Sequence, residues 1–340
     1  MKLKSVQALK GGEILGESLL TKEKQILIPR DTEIREEYLP LLNSLDIKYV
    51  MVEDPYEKYE QVSPIVDMKD FQRLVNLIQF LMEKHIYHNN SSLHGFEPIA
   101  NEIVKDLSGR KEQEVIDLNE RPANLYEHTA MVTYLTVKAA MELQMDRDAL
   151  YEIALGCLLH DIGLRYITTE YREFDWENSS SENVFEMKKH TILGYSALDD
   201  ENWLPDIAKK MVLAHHETQD GSGYPMHLKY KEQECKLIQV MDSFDGMISG
   251  IERKRTDVRN ALDQIKAGSG TEYDKKAVKI LLSMAARYPA GTQVGLNTGE
   301  EAVVTGQTSD AEKPIVMVMK DKNKKYNLKL EKDISILRII

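Results

Sequence analysis

Two adjacent histidines, His215 and His216, stand at the end of a helical stretch and run straight into Glu217-Thr218-Gln219-Asp220-Gly221-Ser222-Gly223-Tyr224-Pro225. This juxtaposition constrains the chain more than any other. A helix end holds its side chains rigidly, whereas Gly221, Gly223 and Pro225 force a tight turn immediately afterwards. A fold that draws two imidazoles into its interior must also bring groups that satisfy them. The same stretch excludes two common sites. His216-Glu217 cannot open a zinc-protease His-Glu-x-x-His helix, because Asp220 stands where the second histidine is needed. Gly221-Ser222-Gly223 follows a helix and carries no Lys-Ser or Lys-Thr, which rules out a dinucleotide fingerprint and a phosphate loop.

Helical spacing elsewhere supplies the missing partners. Over 123–143, His128 shares a stripe with Leu125, Val132, Leu135 and Ala139, so it faces a core. The next helical pattern turns Leu150, Ile153, Ala154, Cys157 and Leu158 inward and ends at His160-Asp161, just before Gly163. Adjacent helical residues diverge by about 100°, so His160 and Asp161 reach one centre from different angles if it lies near the helix end. A carboxylate there has two oxygens and can bridge two cations. His190 aligns with Met187, Gly194 and Ala197, His215 with Ile207, Met211 and Ala214, and Asp242 lies among Ile238, Met241, Asp245 and Ile248. Taken singly, a histidine on an apolar stripe is more often a hydrogen-bonded core residue, and an aspartate at a helix end is often a cap. Taken together, five of the nine histidines would be buried with Asp161 and Asp242, which is costly unless metal ions satisfy them. Imidazoles and carboxylates without thiolates suit iron or manganese and are compatible with zinc.

The ordered set His128, His160-Asp161, His190, His215-His216, Asp220-Gly221-x-Gly223-Tyr224-Pro225 and Asp242 resembles the bacterial HD-GYP family, metal-dependent phosphodiesterases that hydrolyse cyclic di-GMP. The resemblance implies two divalent ions per chain, iron or manganese. It assigns His128, His160, Asp161 and Asp242 to one ion and His190, His215 and His216 to the other, with Asp161 bridging them and orienting a hydroxide. That hydroxide would attack phosphorus and release the 3′ oxygen, giving pGpG, with further cleavage to GMP left open. The loop of Asp220, Gly221, Gly223, Tyr224 and Pro225 would help to shape the pocket. Two other readings stand beside this one. The first is a weak or inactive relative that acts as a cyclic di-GMP receptor or partner-binding module, and the second is a hydrolase of another cyclic dinucleotide.

This chain departs from the family pattern at several positions. Leu164 replaces the usual lysine after the His-Asp-Ile-Gly run, at a position expected to point toward the pocket, and Thr218 replaces an arginine. An Arg-x-Tyr-Arg-like stretch reads Gly250-Ile251-Glu252-Arg253-Lys254-Arg255 here, which leaves Arg253 and Lys254 as substrate-binding candidates, or else as a solvated helix end. Some relatives have a glutamate four residues before the first histidine, associated with a third metal. Asn124 stands there, so two ions are expected.

The expected fold is mainly α, an HD-GYP helical bundle over 111–288. It is preceded by an amphipathic helical linker over 63–110 and flanked by a small mixed α/β module (1–62) and a small antiparallel β module (289–340). In the first module, Lys10-Gly11-Gly12-Glu13 and Pro29-Arg30-Asp31 mark turns, 25–28 and 48–52 read as strands, and 31–45 reads as a helix. In the linker, Phe71, Leu74, Val75, Ile78, Leu81, Met82 and His85 form one stripe. His85, His88 and His94, around the Asn89-Asn90-Ser91-Ser92 turn, are expected to be surface histidines. The polar and aromatic segment 165–183 reads as a surface connection, with a flap over the pocket as its alternative. The span 256–285 is helical around a turn at 267–270. Runs beginning at Gly291, Glu301, Pro314 and Tyr326 read as strands.

A net charge of −12 argues against duplex nucleic acid as a partner, so an anionic substrate must meet local cations or metal. Met1-Lys2-Leu3-Lys4 does not open a signal peptide, and there is no long apolar run, so no membrane partner and a cytoplasmic location are expected. Neither Cys157 nor Cys235 suggests a disulfide, and Cys157 is expected to be buried. A homodimer or a signalling partner engaged through the N-terminal module completes the expectations.

Overall fold

The computed structural model describes residues 2–6, 9, 11–21, 25–45, 47, 49–87, 92–109 and 115–340. Lys10, Lys48, His88 and the Asn89-Asn90-Ser91 turn lie outside the described residues. The chain divides into two compact units, one made of Met1–Val62, Pro289–Thr308 and Lys313–Ile340, the other of Ser63–Tyr288 and Ser309–Glu312.

In the first unit, β1 (Lys2–Ser5) pairs antiparallel with β4 (Tyr49–Val52), and β2 (Leu19–Leu20) with β3 (Ile26–Ile28). They surround a small core of Val6, Leu9, Leu15, Ile28, Ile34, Leu42, Val50 and Val52. The helix expected over 31–45 is much shorter. Asp31 takes a left-handed φ of 63°, so regular structure begins only with a 3-10 turn at Glu36–Tyr38 and α1 (Leu39–Ser44), where Pro40 fits the first helical turn. The rest of this unit is an antiparallel sheet of β5 (Gln293–Leu296), β6 (Glu301–Gly306), β7 (Ile315–Val318), β8 (Lys325–Asn327) and β9 (Ile336–Ile339), in the order β8-β7-β6-β5-β9. Its edge strand β9 went unread because consecutive apolar residues, mostly exposed, give no alternation. Gln61 N–H donates to the Thr305 carbonyl at 2.7 Å, tying the first segment of the unit to this sheet.

The second unit is helical. Its helices are α2 (Met68–Tyr87), α3 (Phe96–Ser108), α4 (Leu125–Glu142), α5 (Arg147–Leu159), α6 (Ser181–Lys188), α7 (His190–Ala197), α8 (Asp206–Ala214), α9 (Gln233–Ser249), α10 (Val258–Ala267) and α11 (Lys275–Met284). Several start at a side-chain cap. Asp146, Ser180, Asp257 and Asp274 each accept a backbone N–H of their helix's first turn. Helices α4 and α9 are buried around most of their circumference, so they form the centre of the bundle against which α5, α8, α10 and α11 pack. His85 is only 1% exposed, contrary to its expected surface position, because it continues the buried stripe of Phe71, Ile78 and Met82 on α2. His94 does lie outside, stacked on Trp203 at a ring distance of 4.4 Å. Cys157 and Cys235 are both buried free thiols. Among the described residues, no helix is long and apolar enough to cross a membrane.

Candidate metal centre

Helix ends deliver most of the polar groups at the heart of the bundle. His160 and Asp161 follow α5, His190 opens α7, and His215 and His216 follow α8, while His128 and Asp242 project from within α4 and α9. All seven are buried. A helix end presents its last side chains next to unused carbonyls, and the histidines exploit that. Nδ1 of His160, His190 and His215 donates to the carbonyls of Cys157, Met187 and Val212, each three residues earlier, at 2.7, 2.7 and 2.9 Å. With a proton held on Nδ1 by a main-chain carbonyl, each ring turns its Nε2 inward, the orientation that metal-binding histidines use.

Two groups result. His128, His160, Asp161 and Asp242 offer ligand atoms within 4.8 Å of one another, and so do His190, His215 and His216. Asp161 stands between them. Its Oδ2 lies 3.2 Å from His160 Nε2 and 3.6 Å from His128 Nε2, and its Oδ1 lies 3.5 Å from His215 Nε2 and 3.8 Å from His190 Nε2. His190 and His215 face each other through their Nε2 atoms at 3.1 Å. Burial and the neighbouring His216 charge lower the pKa of His215 to about 4, so its Nε2 presents a bare lone pair at neutral pH. Both Asp161 oxygens, His160 Nε2 and His216 Nε2 are buried without a hydrogen bond. Unsatisfied buried groups of this kind cost several kcal/mol. A divalent cation in each group would remove that cost, and the nitrogen-oxygen donor set suits one.

The His128 side is braced from behind. His128 Nε2 lies 3.0 Å from Asp242 Oδ1, and its Nδ1 lies 2.8 Å from Asp245 Oδ2, whose carboxylate accepts from Arg121 at 2.9 and 3.1 Å. Burial alone would lower the pKa of His128, but Asp242 and Asp245 outweigh it and raise it to about 9. Asp161 and Asp242 are held well below the usual carboxylate range, burial being overcome by the facing histidines. In effect protons occupy the place of a cation, which a metal would displace on binding.

Residues 114–277 match the family model of the HD domain. The chain carries an HD domain over these residues. A cyclic di-GMP phosphodiesterase of Thermotoga maritima is 30% identical over 210 residues, 60% of this chain and 54% of the relative. A cyclic di-GMP phosphodiesterase of Pseudomonas aeruginosa is 25% identical over 185 residues, 54% of this chain and 44% of the relative. The chain therefore spans about half the length of these curated relatives. An HDG"Y"P protein from Bdellovibrio bacteriovorus aligns over 82% of this chain and 97% of its own, at 16% identity and a TM-score of 0.48.

Within this HD domain the Gly-Tyr-Pro loop wraps around His216. Tyr224 N–H donates to the His216 carbonyl at 3.2 Å, and the two rings stack with centroids 4.7 Å apart. Gly223 makes the turn feasible, since a Cβ there would lie 2.4 Å from the His216 carbonyl oxygen. Asp220 Oδ1 accepts from Ser222 N–H, from the Ser222 hydroxyl and from the Thr218 hydroxyl, and Gly223 N–H donates to Thr218 Oγ1 at 2.7 Å. Gly221 permits the loop's left-handed φ of 83°. Glu217 accepts from Met226 N–H and Leu228 N–H, so it holds the far side of the loop. Gly163 allows another close approach, because a Cβ there would sit 1.8 Å from the His190 carbonyl oxygen.

The departures from the family pattern each have a place. Asn124 caps α4 in a box with Glu127. Thr218 builds the loop. Leu164 was expected to point toward the pocket, yet it packs with Leu125, Phe174, Met187 and Ile251 in an apolar cluster, because a 3-10 turn at Ile162–Tyr166 ends the α-helical course on which that expectation rested. Lys254 pairs with Asp175 at the surface, 2.5 Å away. Arg253 lies nearer, half-buried with its side chain over Gly246 and its charge felt by Asp242 and Glu252. The connection 165–183 is anchored rather than free, with Phe174 against Trp176 and the Trp176 indole N–H donating to the Glu252 carbonyl at 2.6 Å.

Three residues of the site had no role in the sequence reading, namely Arg121, Asp245 and Glu252. Asp245 had a signal, since it stands three residues after Asp242 on the same helical face. Arg121 and Glu252 had none, for one is distant in sequence and the other lies in a run of charges.

Proposed function

We propose that the chain is a metal-dependent phosphodiesterase acting in the cytoplasm on cyclic di-GMP, holding two divalent ions, iron or manganese, on the seven residues identified above. The observation that carries this reading is the division of Asp161 between the two ligand groups, one oxygen to each. When bound, the two ions would acidify a water molecule for attack on phosphorus and neutralise charge on the phosphoryl and departing oxygens. Water adds to phosphorus as the bond to the 3′ oxygen breaks, so one water is consumed and pGpG is formed. Cleavage of pGpG to GMP repeats the same chemistry.

The protein's own share of the work is positional. His160, His190 and His215 are oriented by main-chain carbonyls that accept from their outward nitrogens. Arg121 and Asp245 orient His128, and Tyr224 covers His216 and keeps water from it. Arg253 is the nearby cation suited to a substrate phosphate.

A receptor role is the second reading. It is favoured by the cation positions, since Leu164 contributes none and Lys254 is engaged with Asp175. Losing one transition-state contact lowers a rate by about a hundredfold or more without abolishing binding.

The test is anaerobic purification, metal analysis, and turnover of cyclic di-GMP beside 3′,3′-cGAMP with iron or manganese supplied, using Asp161→Ala as control. Two metals per chain with pGpG formation that the mutation abolishes is the expected result. Two metals and tight binding without turnover would favour the receptor, faster turnover of 3′,3′-cGAMP would reassign the substrate, and a metal-free protein would sink the assignment of the histidines.

A further inference from the structure

Glu252 is buried, its side chain 4% exposed, and it points into the centre just described. Its Oε2 lies 2.6 Å from His216 Nε2 and its Oε1 lies 3.3 Å from His190 Nδ1. His216 Nε2 and Glu252 Oε1 nonetheless make no hydrogen bond. With Oε2 facing His216 and Oε1 facing His190, the unbonded buried atoms His216 Nε2 and Glu252 Oε1 are disposed as ligands for a third point. Glu252 offers an oxygen within 4.8 Å of ligand atoms on Asp161 and His190, and an oxygen within 4.8 Å of ligand atoms on His216 and Asp242.

The backbone tells the same story. Glu252 has a left-handed φ of 58°, a conformation that a residue with a Cβ adopts only when its surroundings hold it there. They do so on both sides. Its N–H donates to the Tyr171 carbonyl at 2.8 Å, its carbonyl accepts from the Trp176 indole, and Glu173 N–H donates to the preceding Gly250 carbonyl at 2.7 Å. Arg172 and Ile251 complete this as an antiparallel bridge. Glycine would suit the position at no steric cost, so the carboxylate is what the strained residue contributes.

We propose that Glu252 is an additional carboxylate ligand of the ion held by His190, His215 and His216, presented by the 171–176 segment. The inference rests on the metal-binding reading of the seven residues. It explains why an aromatic-rich connection is tied to the end of α9, and it adds a second carboxylate to a side of the centre where Asp161 Oδ1 otherwise stands alone among imidazoles. A bound carboxylate also lowers the net positive charge of the pocket, in keeping with an anionic substrate being held more weakly.

The experiment compares full-length wild type with Glu252→Gln, Glu252→Ala, Glu252→Gly and Asp161→Ala. Each metal-free protein is titrated with cobalt(II), following stoichiometry and the visible absorption bands, and its metal-free melting temperature is recorded. For all three Glu252 variants the expected result is at least about a tenfold weakening of one ion, with a changed cobalt spectrum and the other ion retained. The metal-free Glu252→Gly protein is expected to melt no lower than wild type. Glutamine keeps the shape and still accepts a hydrogen bond, so if Glu252→Gln binds both ions like wild type while Glu252→Ala does not, the residue only positions the histidines and the proposal fails. It fails equally if all three variants bind both ions unchanged. If wild type itself binds no cobalt, or if Asp161→Ala binds as wild type does, the metal reading of the whole centre fails instead.

Discussion

The two halves of the centre are built on opposite principles. On the His128 side the chain Arg121–Asp245–His128–Asp242 is closed within the protein, and only His160 Nε2 and Asp161 Oδ2 among its ligand atoms are left without a hydrogen bond. On the His215 side two imidazole nitrogens face each other at 3.1 Å, and Asp161 Oδ1 and Glu252 Oε1 have no hydrogen bond. On the proposed reading the first half is set by the protein and would only be tuned by an ion, whereas the second would be completed by a cation. A buried ion pair holds itself together, but converging lone pairs repel until something positive lies between them. Asp161, which belongs to both halves, is where the difference can be measured.

The largest expected effect is therefore at Asp161. Asp161→Ala should remove both ions and lower phosphodiesterase activity by at least about two orders of magnitude, as read by metal analysis and pGpG formation. Loss of activity with both ions retained would break the comparison, because Asp161 would then join nothing.

Single histidine changes in the metal-free protein should separate the halves. His128→Ala leaves Asp242 and Asp245 facing a cavity and should cost about 3–5 kcal/mol in urea unfolding. His215→Ala relieves the confrontation with His190 and should cost far less, or stabilise. Manganese should then restore the order. At a hundred times its dissociation constant it should add about 2.7 kcal/mol per site to wild type, with one site's share missing from His215→Ala. Equal destabilisation by both variants without metal would show that the halves are alike.

Arg121→Ala should have a smaller effect, weakening the ion on the His128 side by about 10–100-fold and leaving the other unchanged, as measured by calorimetric titration. The smallest effect is expected at Lys254. Its pair with Asp175 is exposed to solvent, so Lys254→Ala should leave the melting temperature and the affinity for cyclic di-GMP unchanged. A clear loss of affinity would give it the phosphate-binding role that its position in the sequence suggested.

Much of this protein was legible in its sequence. The helices were readable because each buries one face, and a period of 3.6 residues is a local property. The seven histidines and aspartates stood out because polar residues recurred on apolar stripes, and Gly223 announced a close backbone approach that a Cβ would block. The misreadings also have local causes. His85 was placed outside by its polarity although its spacing put it inside, and Leu164 was extrapolated along a helix that ends at Leu159.

Tertiary structure alone decided the rest. That Asp161 divides its oxygens between two groups depends on how α5 meets α7, α8 and α9, and no spacing along the chain encodes it. That Arg121 braces His128 through Asp245, and that Glu252 is turned inward by backbone contacts from a segment some 80 residues earlier, are encounters between distant parts of the chain. Sequence fixes which side chains can be buried, because burial follows local periodicity and the cost of leaving apolar surface in water. Which buried polar groups meet is settled only when the helices pack, because their charges interact over a few ångströms of space whatever their separation along the chain.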